Sequence, residues 1–127
     1  MNEFDKFKRN SGQPKTIKIG EDEFTFKPLP LICYPSFLWV GSQMEKGKSI
    51  EDKELTKEIF TLLDAFVTNS YPELMQDKET KEAFIASNFF NLMSIMMEIS
   101  SAFVSNLSDS QKEQIEKLKV QYEQSKQ

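Results

Sequence analysis

The stretch NFFNLMSIMMEI, Asn88 to Ile99, packs eight large apolar residues into twelve positions of an otherwise polar chain. Wound into a helix, Phe89, Leu92, Met93, Met96 and Ile99 line one broad stripe at the spacing that faces a core, while Phe90, Ile95 and Met97 fall on other faces. A helix apolar on most sides has to be covered on most sides, by its own chain or by another. The fold must be built around it.

A length of 127 residues suits one domain with a modest core. The hydrophobic content of 39% and charged content of 28% are those of a chain that folds, which excludes a wholly disordered or collagen-like protein. A formal net charge of -4, with no block of Lys and Arg interleaved with aromatics, speaks against a nucleic-acid partner. The longest apolar tract, Phe84 to Leu107, is interrupted by Asn88, Asn91, Glu98 and several serines, so no membrane span is expected. The N-terminus MNEFDKFKRN lacks the apolar run of a signal peptide.

The chemistry open to the chain is narrow. Without histidine, no Ser-His or Cys-His pair and no His-containing metal site can form, and the single Cys33 can build neither a disulfide nor a thiolate cage. Cys33 reads as a small packing residue in an apolar segment. The four glycines never form GxGxxG or a Walker loop. Carboxylate neighbours such as Glu21/Asp22 and Glu51/Asp52 lie in a turn and at a helix opening, where solvated charge is the ordinary use. The expectation is a protein that is not an enzyme and holds no cofactor or metal.

Along the chain, residues 1–14 mix charge with isolated Phe4 and Phe7 and read as a flexible arm. Residues 15–107 form the globular domain. In KTIKIGEDEFTFKP, Ile17 and Ile19, then Phe24 and Phe26, alternate with polar residues about a Gly20 turn, which predicts a β-hairpin within 15–28. Helices are expected at about 34–43, opened by Pro35; at 50–69, with Ser49 as cap and Leu55, Ile59, Leu62, Leu63 and Phe66 as its buried stripe; and at 78–104, capped by Asp77 and either continuous or bent at Ser87-Asn88. Pro72 pushes Tyr71 out of the helical region and ends the second of these. Residues 108–127, with Ser110 and Glu113 in capping-box register and a thin Ile115/Leu118/Tyr122 stripe, read as an amphipathic helix or tail. The fold class is therefore mainly α with a short N-terminal hairpin, a small bundle of about four to five helices.

This succession resembles the tail assembly chaperones of long-tailed bacterial and archaeal viruses. The likeness runs over roughly residues 16–101, through EFTFKPLP, Phe66-Val67, Ser70-Tyr71-Pro72, Phe84-Ile85, Asn88-Phe89 and Leu92 to Glu98-Ile99. It implies a non-catalytic helper in the host cytoplasm that coats the tape measure protein, brings tail tube protein to it, and self-associates as a homo-oligomer. It marks no binding residues. From the residues themselves, Phe89, Phe90, Met93, Met96 and Met97 are the candidate protein contacts, since flexible, polarisable Met suits a surface that must accept varied apolar helices. Phe24 and Phe26 of the hairpin are assigned to packing or self-association. The alternative class is a structural virion protein or head-tail connector, which would use the same surfaces for permanent ring contacts. An adaptor function through Tyr71-Pro72-Glu73-Leu74 is weaker, because those four residues already serve as a helix stop.

Overall fold

The alternation of Ile and Phe with polar residues produces two antiparallel strands, β1 (Lys15–Ile19) and β2 (Asp22–Phe26), in the computed structural model, which describes residues 14–126. The expected arm with Phe4 and Phe7 lies outside the described residues, apart from Pro14. Ile19 faces Asp22 across the turn and Ile17 faces Phe24. Gly20 supplies the positive φ, +64°, that a two-residue turn needs at its first position to match strand twist. One face carries Ile17, Phe24 and the fully buried Phe26 inward, while Thr16 and Thr25 share a 2.8 Å hydroxyl contact on the other.

Beyond the strands, Leu29 is buried and a 3-10 turn, Leu31–Cys33, leads directly into α1 (Tyr34–Glu45), with Pro35 in its first turn. Helix α1 runs two residues past its expected end. Its stop is Gly47, at φ +91°, whose N–H donates to the Met44 carbonyl at 3.0 Å while that of Lys48 donates to Gln43 at 3.2 Å, a Schellman motif.

Helix α2 spans Lys53–Ser70, not 50–69. Its cap is Asp52, whose carboxylate accepts the Leu55 N–H at 2.9 Å; the expected cap Ser49 instead accepts the Glu51 N–H within the preceding turn. Extended backbone at Asp52 puts its side chain where the first free N–H groups emerge, and Ser49 lies too far upstream to reach them. The stripe Leu55, Ile59, Leu62, Leu63 and Phe66 is fully buried, making α2 the central helix.

Tyr71 leaves the helical region, a 3-10 turn follows over Pro72–Gln76, and Asp77 caps α3 (Lys78–Ser87) through the Thr80 N–H at 3.0 Å. The segment 78–104 is two helices. Asn88 separates α3 from α4 (Phe89–Ser105), and their axes bend by 86°. The Asn88 amide and its backbone N–H both donate to the Phe84 carbonyl, at 3.0 and 3.1 Å, closing α3 while the Asn88 carbonyl starts α4. Helix α5 spans Asp109–Ser125 and begins with a capping box of Ser108 and Gln111, two residues ahead of the expected Ser110 and Glu113.

Among the described residues no single helix is long and apolar enough to cross a membrane. The core runs from Phe26 and Leu29 through Tyr34, Phe66 and Val67 to Leu92, Met96 and Ile99. Each of the five helices contributes to it, α5 only through Ile115 among fully buried residues.

Candidate functional site: an aromatic and methionine surface on α2 and α4

The apolar circumference of α4 divides into two arcs. Leu92, Ile95, Met96 and Ile99 are buried against the core. Phe89, Met93 and Met97, spaced by four residues so that each stands above the last, form a half-buried flank packed on that core. Phe90, 62% exposed, borders it.

This flank is extended by a residue that the sequence reading did not single out. Phe60 of α2 is 40% exposed and its ring lies 4.8 Å from that of Phe89, which in turn meets Phe90 edge-on at 5.3 Å. An aromatic triad of Phe60, Phe89 and Phe90 therefore joins the Met93/Met97 flank at the junction of two helices. Beside it opens a groove bordered by Lys57, Phe60, Asp64, Glu82 and Ile85, with Lys81 bridging to Asp64 at 3.0 Å. The signal was present: Phe60 stands off the buried stripe of α2, on the face it shares with Lys57, Thr61 and Asp64.

Of the seven residues proposed from sequence, the structure brings Phe89, Phe90, Met93 and Met97 to this surface. Met96 is wholly enclosed, so its assignment to a partner contact is corrected, whereas Phe26, also wholly enclosed, serves the packing that was one of its two assigned uses. Met96 points to the centre of the α4 packing arc, and the Phe26 ring lies 5.0 Å from Phe66. Ile95, read as lying on another face, is also buried, because the packing arc is wider than one stripe.

Comparison with protein-family models, curated proteins and solved structures finds no match. The surface has to be read from its chemistry alone.

Phe24 belongs to a separate cluster. Its ring lies 5.2 Å from Phe84 and 6.1 Å from Tyr71, over a small cleft completed by Leu74 and Thr80. The Tyr71 hydroxyl accepts the Thr25 N–H at 2.7 Å, so the aromatic member of Tyr71-Pro72-Glu73-Leu74 is engaged inside the fold and not offered to an adaptor. A second exposed apolar area missed by the sequence reading comprises Leu31 and Ile32, in the 3-10 turn before α1.

The ionisable groups with shifted affinities lie away from the triad. Burial pushes the Tyr34 phenol up to about 12. Neither Tyr34, Ser100 nor Thr68 finds a hydrogen-bond partner for its buried hydroxyl among the described residues. Burial also raises the Cys33 thiol, holding it protonated. Among the described residues no three His, Cys, Asp or Glu side chains gather as a metal-holding group.

Proposed function

We propose that this protein is a non-catalytic chaperone of virus tail assembly, which holds the tape measure protein in the host cytoplasm and helps recruit tail tube subunits to it. The observation that carries the reading is the Phe60/Phe89/Phe90 triad, in which Phe60 and Phe90 are exposed and Phe89 is half-buried, continued by Met93 and Met97. A long helical client presents successive apolar faces that differ in detail. Methionine, unbranched and polarisable, accommodates such variation, and the aromatic rings supply area. Because Phe60 and Phe90 are 40% and 62% exposed, covering each contributes about half of the 1.5–3 kcal/mol that full burial of an exposed Phe supplies, which suits reversible and not permanent holding. The resemblance over residues 16–101 supplies the class of client.

The test is co-purification with the products of neighbouring genes, followed by mass spectrometry and light scattering. Recovery of a long helical protein that is insoluble alone, and its loss on Phe60→Gln/Phe90→Gln substitution with unchanged circular dichroism, supports the chaperone. Its presence at fixed copy number in finished particles would replace that reading with a head-tail connector.

A further inference from the structure

Between α2 and α3 lies a groove of about 660 Å³ that the chain's own side chains leave open. Lys57, Thr61 and Asp64 succeed one another along one face of α2, and Glu82 and Ala86 along one face of α3, so both walls are helix faces. Ala65 and Ala86 are too short to close it. From Lys57 to Asp64 the α2 wall runs for two turns, about 10 Å. Phe60 belongs both to this groove and to the aromatic triad, which makes them one continuous surface.

The charges along the groove are unevenly spent. The Lys81 ammonium ties α3 to Asp64 of α2 at 3.0 Å and keeps only 12% of its side chain exposed, while that of Asp64 stays 44% exposed. Glu82 is 61% exposed, and its one ion pair among the described residues is with Lys78, 3.8 Å away and itself 81% exposed. So solvated a pair holds Glu82 weakly. This end of the groove therefore offers carboxylate oxygens to an incoming cation. Lys57 stands at the other end, two turns from Asp64 and beyond the screening length of about 8 Å at physiological salt, and does not cancel them.

We propose that this groove selects among helical partners, taking an amphipathic helix whose apolar stripe is bordered by lysine or arginine. The stripe lies over Phe60, Ile85 and the two alanines, and the basic border reaches Glu82 and the exposed side of Asp64. A helix suits the site because its side chains project every three or four residues, in step with the rows on α2 and α3. The long stem of a lysine or arginine adds apolar cover at the rim while its charge reaches the carboxylates. An acidic border in the same place would meet two like charges. The inference rests on the reading of the Phe60/Phe89/Phe90 surface as one that holds helices, and adds the charge pattern of what it holds.

Three labelled synthetic helical peptides test it on the full chain by fluorescence anisotropy. They share one Leu/Phe stripe and differ only in whether Lys, Gln or Glu borders it. The Lys-bordered peptide should bind about two- to fivefold more tightly than the Gln-bordered one, with the Glu-bordered peptide weakest and the differences shrinking in high salt. Glu82→Lys should reverse that order. Ala86→Leu, at an exposed position, should fill the groove and weaken all three peptides with circular dichroism unchanged. Equal binding of the three peptides, all weakened by Phe60→Gln, would overturn the charge selection and leave the helix-holding surface standing. Equal binding of a Lys-bordered peptide broken by two central prolines would overturn the helix as occupant. Binding that neither Phe60→Gln nor Ala86→Leu alters, or no binding at all, would overturn the helix-holding reading together with the selection.

Discussion

The Tyr71 hydroxyl accepts the Thr25 backbone N–H at 2.7 Å, so a residue that ends the central helix also closes the outer edge of the hairpin. Its neighbours extend the same seam: Ser70 accepts the Lys27 N–H at 2.8 Å, and the Asn69 amide donates to the Pro28 carbonyl at 2.9 Å. A two-stranded sheet is marginal in water alone, and Asn69-Ser70-Tyr71 occupies backbone groups that a third strand would otherwise take. Tyr71→Phe should keep the ring against Phe24 and Phe26 and lose the acceptor, lowering stability by about 0.5–1.5 kcal/mol in urea denaturation. Tyr71→Ala should cost more, roughly 3 kcal/mol, by removing the aromatic contact as well.

Met96 and Met97 should behave oppositely although adjacent. Met96→Ala, at a fully buried site, is expected to lose about 2–5 kcal/mol, and Met96→Lys should prevent folding altogether. Met97→Lys, on the half-buried flank, should leave circular dichroism near native while weakening any partner held by the Phe60/Phe89/Phe90 surface. Equal loss of fold in both lysine variants would show that the flank is core.

Gly47 ends α1 at φ +91°, with nothing within 4 Å of where a Cβ would stand. The cost of Gly47→Ala is then conformational and not steric crowding by neighbours, about 1–2 kcal/mol. Gly47→Asn should recover part of it. Thermal unfolding followed at the α-helical signal would measure both.

Two groups set opposite pH responses. Hydrogen bonding from the Thr80 backbone and side chain holds the Asp77 carboxyl below its usual range, so the capping contribution is complete above the unfolded-state value and fades as acid titrates the folded-state group. Asp77→Asn should keep a cap and flatten the stability profile below about pH 4. Tyr34, pushed up to about 12 by burial, contributes stability that is complete below the unfolded-state value near 10 and is lost as pH rises towards 12. Tyr34→Phe should reduce the alkaline loss and, by removing a buried hydroxyl without a partner, should cost little at neutral pH.

What the sequence determined by itself is whatever is encoded within one element. The alternation around Gly20 places the hairpin, the 55-59-62-63-66 spacing places the buried face of α2, and Asp77 announces α3, because strand period, helix period and capping act between residues close in the chain. Where several nearby residues can perform the same local task, geometry chose among them: Asp52 over Ser49, Ser108 over Ser110, and a break at Asn88 over a continuous helix. The surface needed the tertiary fold most. The polar face of α4, Asn91, Ser94 and Glu98, is narrow and leaves a wide apolar arc, so the placement of its neighbours decided that Met96 would be enclosed, that Met93 and Met97 would flank it, and that Phe60, twenty-nine residues before Phe89, would stand beside it. Likewise nothing local ties Tyr122 and Lys126 to Glu58; that convergence exists because α5 folds back over α1 and α2, bringing distant polar groups to one carboxylate.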